Sequence, residues 1–401
     1  MKRLLAAGAI RGRVLLHLLC FLLALGFLSE RARAEQVTLA GFAFAGQVAE
    51  APGRFPHAFK VVGRASAGDA TGAAAMSRIV VGRSRAVSNA AFRLNIDSLA
   101  NLRDADQALV AALVLTGETV FVEDFGSYHK VFVGLRGEAL IFDHKAQVVV
   151  RSYPISAVVF DAMPAAPAPA QIEAHVARLL ANEGDASLVG QFVRVLGSAT
   201  LPAPGTKTVQ VRSADISDAA LALFPQALRD SGVARSLLVD AFESSLSAGT
   251  GVPLIPSRVT HASGVMHVRF EDMYQYELKI PEGDYAFGLR LKRLAKIRHA
   301  ANNVGTSYIF GAFVDIEFTE PLLGQSFLSA ELKNGETAVV PAGRQAADDF
   351  PGYEDAIRGL FRKFAEAIQR TDSKWIRSAS AAPDIEAQIR RIREIIESSR
   401  L

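Results

Sequence analysis

"LIFDHKAQVVVRSYPISAVVFD", residues 140–161, decides how the first half of the chain is read. It is mostly apolar and β-branched, yet it carries Asp143, His144, Lys145, Arg151, Ser152, Tyr153 and Asp161. Two readings compete: a catalytic cluster at a strand end, or two strands joined by a polar turn. "VFVGLRGEALIF" and "QVVVRSYP" flank Asp143 to Ala146 with strand-forming residues, which predicts a hairpin with a solvated turn. Pro154 has no amide to donate, so the second strand should lie at a sheet edge or bend there.

Working outward, "ETVFVEDFG" and "HKVFVGLRG" read as further strands at hairpin spacing. Upstream, "LANLRDADQALVAALVLTG" reads as a helix, with Asp104 as cap, Leu109, Leu113 and Val114 at helical spacing, and Gly117 as stop. Between Glu35 and Arg93, "QVTLAGFAFAG", "AFKVVGRA" and "SRIVVGRSRAV" read as short strands, joined by the loose "ASAGDATGAAA". Downstream, "QIEAHVARLLANE" is an amphipathic helix with Ile172, Val176, Leu179 and Leu180 on one face.

The second half repeats this order. "KTVQVRSADIS" is a strand, and a helical stretch follows with a break near Pro225 and a stop at Gly249. "VPLIP", "MHVRF", "MYQYELKI" and "DYAFGLRLKRLAKIRH" are strands, and "SYIFGAFVDIEFTEPLLGQSFLSAEL" is a hairpin turning near Glu320 and Pro321. Ile357, Leu360, Phe361, Phe364 and Ile368 then mark one face of a helix. The pattern predicts an α/β or α+β chain of two mixed or antiparallel sheet-and-helix domains, pseudo-repeated, plus a C-terminal helix. The expected divisions are 1–34 (signal peptide), 35–183 and 184–372 (the two domains), 373–383 (linker) and 384–401 (amphipathic helix).

"SLLVDAFESSLSAGTGVPLIP" (236–256), "FVDIEFTEPLLGQSF" (313–327) and "YEDAIRGLFRKFAEAI" (353–368) together resemble the small α/β domains of bacterial envelope proteins. Examples are the amino-terminal domain of the Tol-Pal translocation protein, the curli secretion-channel lipoprotein and transport auxiliary lipoproteins. The resemblance covers about a third of the chain and rests on periodicity. It implies an assembly or binding role and carries over no functional residue.

The start of the chain sets the expected compartment. "MKRLLAAGAIRGR" is a basic segment, "VLLHLLCFLLALGFL" an apolar one, and Ala32-Arg33-Ala34 a small-x-small signal. This predicts a secretory signal cleaved near Ala34 and a periplasmic or secreted product; an uncleaved membrane anchor is the rival. The whole chain has 44 Lys+Arg against 41 Asp+Glu, but residues 1–34 hold six of the basic and one of the acidic, leaving 38 against 40. No nucleic-acid partner is expected from that balance. Cys20, the single cysteine, lies inside the apolar segment, so disulfides and thiol chemistry are not expected afterwards.

Catalytic motifs are scarce. There is no G-x-S-x-G, and "SYHK" (127–130) matches S-x-x-K only formally, because it lies between strand patterns. No H-E-x-x-H or phosphate loop occurs, so no metal and no cofactor is expected. "HASGVMHVRFED", with His261, His267, Glu271 and Asp272, reads as a polar loop entering a strand rather than a metal site. Two features remain. Arg290, Lys292, Arg293, Lys296 and Arg298 form a basic stripe that could meet an anionic lipid, a glycan or an acidic partner, or could be the solvated face of a sheet. Ile385, Ile389, Ile392 and Ile396 form a 4-3-4 seam that suits a helix docked on its own domain, or a partner or homo-oligomer contact. The resulting expectation is a non-enzymatic binding or assembly factor of the envelope, with an envelope protein as partner. A hydrolase of an envelope polymer or lipid ester, or a periplasmic lipid carrier, is the alternative.

Overall fold

The stretch around Asp143 folds as a hairpin. The computed structural model describes residues 35–47, 50–67, 75–96, 109–126, 128–231, 233–270, 275–303, 305–341, 348–370 and 374–400. The expected signal and cleavage point therefore lie outside the described residues. Strand β4 (His129–Asp143) pairs antiparallel with β5 (Val148–Met163) along its full length. Asp143 Oδ1 accepts the backbone N–H groups of Lys145 and Ala146 at 2.8 Å each, and Gln147 closes the turn with φ 53°.

The first sheet runs β2-β1-β3-β4-β5-β8-β7, with β1 Glu35–Ala45, β2 Phe92–Asn95, β3 Leu109–Asp124, β7 Val265–Phe270 and β8 Gln275–Lys279. β1 is parallel to β2 and β3, while β3, β4 and β5 form an antiparallel meander. The sheet also bends round on itself. The β7–β8 hairpin pairs with β1 at Ala43↔Phe270 and touches β5 at Val148↔Lys279. One face is covered by helices α1 (Ala58–Ala67), α2 (Ala75–Ser84), α3 (Pro169–Ala181) and α4 (Leu188–Ser198), over a core including Phe42, Phe44, Leu113 and Ile141. On the other face the hairpin covers Val110, Leu140 and Phe142 with Val268, Phe270 and Leu278.

The second sheet has the order β11-β10-β9-β6, with β6 Val209–Ile216, β9 Tyr285–Ala301, β10 Gly305–Glu320 and β11 Gln325–Pro341. β6 is parallel to β9, and β9, β10 and β11 form a meander. Helices α5 (Val233–Thr250), α6 (Phe350–Gln369) and α7 (Ile385–Arg400) share one core with it, in which the rings of Phe287 and Phe318 lie 4.3 Å apart and those of Phe242 and Phe287 4.9 Å apart. Gly249 permits the α5–α6 approach, since a Cβ there would come within 2.7 Å of the Ala365 methyl. The expected pseudo-repeat is present as topology. Both halves place a strand parallel to the first member of a long three-strand meander, in the orders β1-β3-β4-β5 and β6-β9-β10-β11.

Three local expectations are corrected. Leu109–Leu115 is strand, not helix: it is buried on both faces of the sheet, so it needs apolar residues at every position and mimics helical spacing. "AFKVVGRA" and the first eight residues of "SRIVVGRSRAV" lie in α1 and α2, not strands. Their valine pairs suggest extended chain, but one side of each helix faces the first sheet, and that burial outweighs β-branched propensity. The boundary drawn at 183/184 falls between α3 and α4, both of which lie on the first sheet, and β7–β8 returns to that sheet from far downstream.

Candidate binding cleft

Arg290, Lys292 and Arg293 of the basic stripe lie on the solvent side of β9, and a bulge at Lys292 turns Lys296 and Arg298 to the side of Leu294 and Phe310, which the helices cover. Arg290 stands 3.7 Å from Asp215 of β6. Lys292 reaches Glu331 at 2.6 Å and Asp315 at 3.5 Å, and these carboxylates raise its pKa. The guanidinium of Arg293 lies 3.8 Å from the Phe313 ring centre. Lys296 pairs with Asp349 at 2.6 Å and sits over Tyr308, and Arg298 lies opposite Tyr308 across the β9–β10 ladder. Much of the stripe's charge is therefore matched by acids from β6, β10, β11 and the start of α6. The isoleucine seam is filled from within the chain: Ile385, Ile389, Ile392 and Ile396 are 0–4% exposed in the core of the second sheet. His144, His261 and His267 are held in local surroundings. His267 faces Glu277 at 3.6 Å across β7–β8, and burial beside Arg54 and Arg258 pushes His261 down to about 4. His144 stays in the hairpin turn, its ring edge-on to Tyr276. Among the described residues no group of three or more His, Cys, Asp or Glu could hold a metal ion.

The concavity with chemical character lies elsewhere, between the two sheets. An open cleft of about 680 Å³ has Ser156 of β5 on one side, Glu336 and Thr337 of β11 on the other, and Ser244, Ser245, Arg358 and Arg362 of α5 and α6 at its base. Gly249 and Gly359 keep that base low, Gly359 because a Cβ would come within 2.4 Å of the Glu336 carboxylate. Asp355 is shared with an adjoining recess of about 310 Å³, walled by Phe160, Phe310, Val339 and Val340 and carrying Asp161, Asp348 and Asp349. The cleft draws its lining from five elements dispersed over some two hundred residues, so no sequence motif marks it.

Its flank is heavily titratable. Lys130, 5% exposed, pairs with Asp348 and lies among the rings of Phe121, Phe160 and Phe350 at 5.0–5.8 Å; burial lowers its pKa to about 8. Deeper, where β4 meets α5, Glu138, Asp240 and Glu243 face one another. Burial pushes Glu138 up to about 8 and Asp240 to about 6, and raises Glu243 well above the carboxylate range. Arg136 Nε holds Asp240 at 2.7 Å and limits its rise. Glu138 Oε2 and Glu243 Oε1 are buried without a hydrogen-bond partner. Above them the Ser156 and Ser244 hydroxyls meet at 3.2 Å. Glu138, Asp240 and Glu243 lie behind the cleft and are not among its lining residues.

No known protein family and no curated protein matches the chain. Three bacterial proteins of solved structure show partial likeness. A neuraminyllactose-binding hemagglutinin homolog from Helicobacter pylori is 11% identical, with 43% of this chain over 86% of that one and a TM-score of 0.23. A minor lipoprotein from Acinetobacter baumannii is 13% identical, 44% over 98%, at 0.20. A DUF330 protein from Xanthomonas campestris is 8% identical, 41% over 85%, at 0.22. At such scores none of the three carries a role over to this chain.

Proposed function

We propose that this chain is an exported protein of the bacterial cell envelope that acts by binding rather than by a chemical step, with its ligand in the cleft between the sheets. The observation that carries this reading is the cleft itself: about 680 Å³, open to solvent and lined by hydroxyl, carboxylate and guanidinium groups. The basic-then-apolar start of the chain, with Ala32-Arg33-Ala34, supports export. Among the described residues, the apolar hollow formed by Phe132, Phe224, Leu238 and Phe350 offers only about 20 Å³, scarcely more than a water needs, which gives the lipid-carrier alternative less support.

The test is affinity purification of the tagged, exported chain from bacterial envelopes, beside a Ser245→Arg/Arg362→Glu variant that fills and recharges the cleft. A protein partner should be recovered with the unaltered chain and depleted with the variant. Recovery of no partner would count decisively against a binding role, and equal recovery would move the site away from the cleft.

A further inference from the structure

The two halves share a topology but finish their last meander strand differently. In the first sheet β5 is not open to another strand. Its outward carbonyls at Ser152 and Ser156 are taken by the Leu254 N–H at 2.7 Å and the Gln191 side-chain amide at 2.9 Å. Between them stands Pro154, opposite Glu138 in the ladder, with no N–H to offer. The start of β5 is covered by β8.

The equivalent strand of the second sheet, β11, carries such protection at its two ends only: Pro341, outward in the ladder like Ser329, has no N–H to offer. The Ser329 N–H turns outward to Gln388 Oε1 of α7 at 3.1 Å. The β10–β11 register is unbroken from Ser329 to Pro341, so the outward orientation repeats every second residue, at Lys333, Gly335, Thr337 and Val339. Among the described residues these four outward amides carry no partner, and Val339 is 63% exposed. This free edge borders the cleft. Glu336 and Thr337 line the larger part, and Ala338, Val339 and Val340 line the recess.

We infer that β11 is a docking edge for an extended segment of a partner polypeptide, which adds to the second sheet as a fifth strand. The inference rests on the binding role proposed above and names its partner class. Main-chain hydrogen bonds to Lys333–Val339 supply affinity, and side chains two residues apart, about 7 Å along the strand, drop into the cleft and the recess. The charge of the site selects the segment. Asp348, Asp349 and Glu336 are paired with Lys130, Lys296 and Lys363, which among the described residues leaves Asp161, Asp355 and Glu366 without a Lys or Arg partner in the two hollows, against Arg362 and an Arg358 already paired with Glu354. The incoming strand is therefore basic, alternating Lys or Arg with β-branched residues.

The experiment uses a fluorescein-labelled nonapeptide of alternating lysine and valine or threonine, read by anisotropy with the full exported chain. Binding should weaken about tenfold or more with Thr337→Pro, which removes an outward N–H and leaves the ladder to β10 intact, as for the loss of one or two main-chain hydrogen bonds. The same peptide N-methylated at alternate residues should bind the unaltered chain as poorly, a control that does not depend on how the variant folds. An acidic peptide of the same pattern should not bind. Equal binding of the N-methylated peptide, or binding unchanged by Thr337→Pro in a protein with an unaltered melting curve, would overturn the inference. A doubled mass in light scattering that Thr337→Pro halves would also overturn it, by giving the edge to a second copy. If the envelope partner is recovered equally with Thr337→Pro, the edge fails while the binding role stands; if no partner is recovered at all, the binding role itself fails.

Discussion

Glu138 shows how a single residue can mislead a reader of strands. In β4 the positions Val131, Val133, Leu135, Ala139 and Ile141 alternate toward the helix-covered face, so Arg136 and Glu138 read as solvent-facing. The structure lays α5 across that second face, and both side chains end in the interior beside Asp240 and Glu243. A carboxyl whose folded pKa is raised holds its proton in the native state over a window where the unfolded chain has released it. Stability from such a group is fully present below the ordinary value near 4.5 and is lost as pH rises through the folded value, here about 8 for Glu138. The cluster's contribution to stability should therefore fall between about pH 5 and 8, by on the order of a few kcal/mol, against an opposite contribution from His261, which gains as pH rises to about 6.5. Glu138→Gln keeps the shape without the ionisation. It should flatten that part of the stability–pH curve and raise the melting temperature at pH 8.5 above that of the unaltered chain. Calorimetric melts at pH 5.5, 7 and 8.5 decide it; a Glu138→Gln curve parallel to the original would show that Glu138 does not titrate in this window. Arg136→Leu acts in the opposite direction. It leaves Asp240 buried without its cation and should cost about 3–5 kcal/mol near neutral pH, seen as a lowered denaturant midpoint.

At the scale of elements, the strongest periodic signals in the sequence correspond to elements of the fold. The stripe of α6 is buried as expected, with Leu360 and Phe364 fully covered, and the hairpin at Asp143 forms where turn chemistry placed it. The failures come from one cause: elements whose surroundings are supplied by distant chain. β3 reads as a helix because both of its faces are covered, and α1 and α2 read as strands because a sheet, not their own propensity, holds them. The isoleucine seam was legible as a buried face, but its counterpart was not. The last helix, α7, packs against β11 and α6, and its final carbonyls reach the first sheet's unit: Ser399 O accepts from Arg151 at 2.7 Å and Arg400 O from Thr200 at 2.6 Å. A cation at a helix C-terminus is favourable to the helix as well as to the joint. Ile392→Ala should thus cost about 2–5 kcal/mol. Arg151→Met should weaken the joint between the halves, read as faster hydrogen exchange in α7. Removal of 384–401 should lower the melting temperature by more than Ile392→Ala does, and a truncated chain as stable as the original would show that α7 merely rests on the surface.

For the whole molecule, the cleft was illegible because a site between two sheets belongs to neither sequence half. The pseudo-repeat was legible as an order of elements and invisible as residue identity, since each sheet needs only apolar alternation and turns. What distinguishes the halves is how they are completed. The first sheet borrows the β7–β8 hairpin from between β6 and β9, and that hairpin covers Val110, Leu140 and Phe142 with Met266, Val268, Phe270 and Leu278. Residues 35–204 made alone would leave this face in water, and a contiguous apolar face of that kind drives aggregation or a loosely ordered state. The fragment should bind a hydrophobic dye, lack near-ultraviolet dichroism and melt without a cooperative transition. Co-expression with residues 205–401 should restore a soluble pair, because the missing hairpin and the helix ends that reach Arg151 and Thr200 arrive together. A sharp melt from 35–204 by itself would mean that the first sheet is self-sufficient, and that the hairpin fixes how the halves face each other across the cleft rather than whether the first half folds.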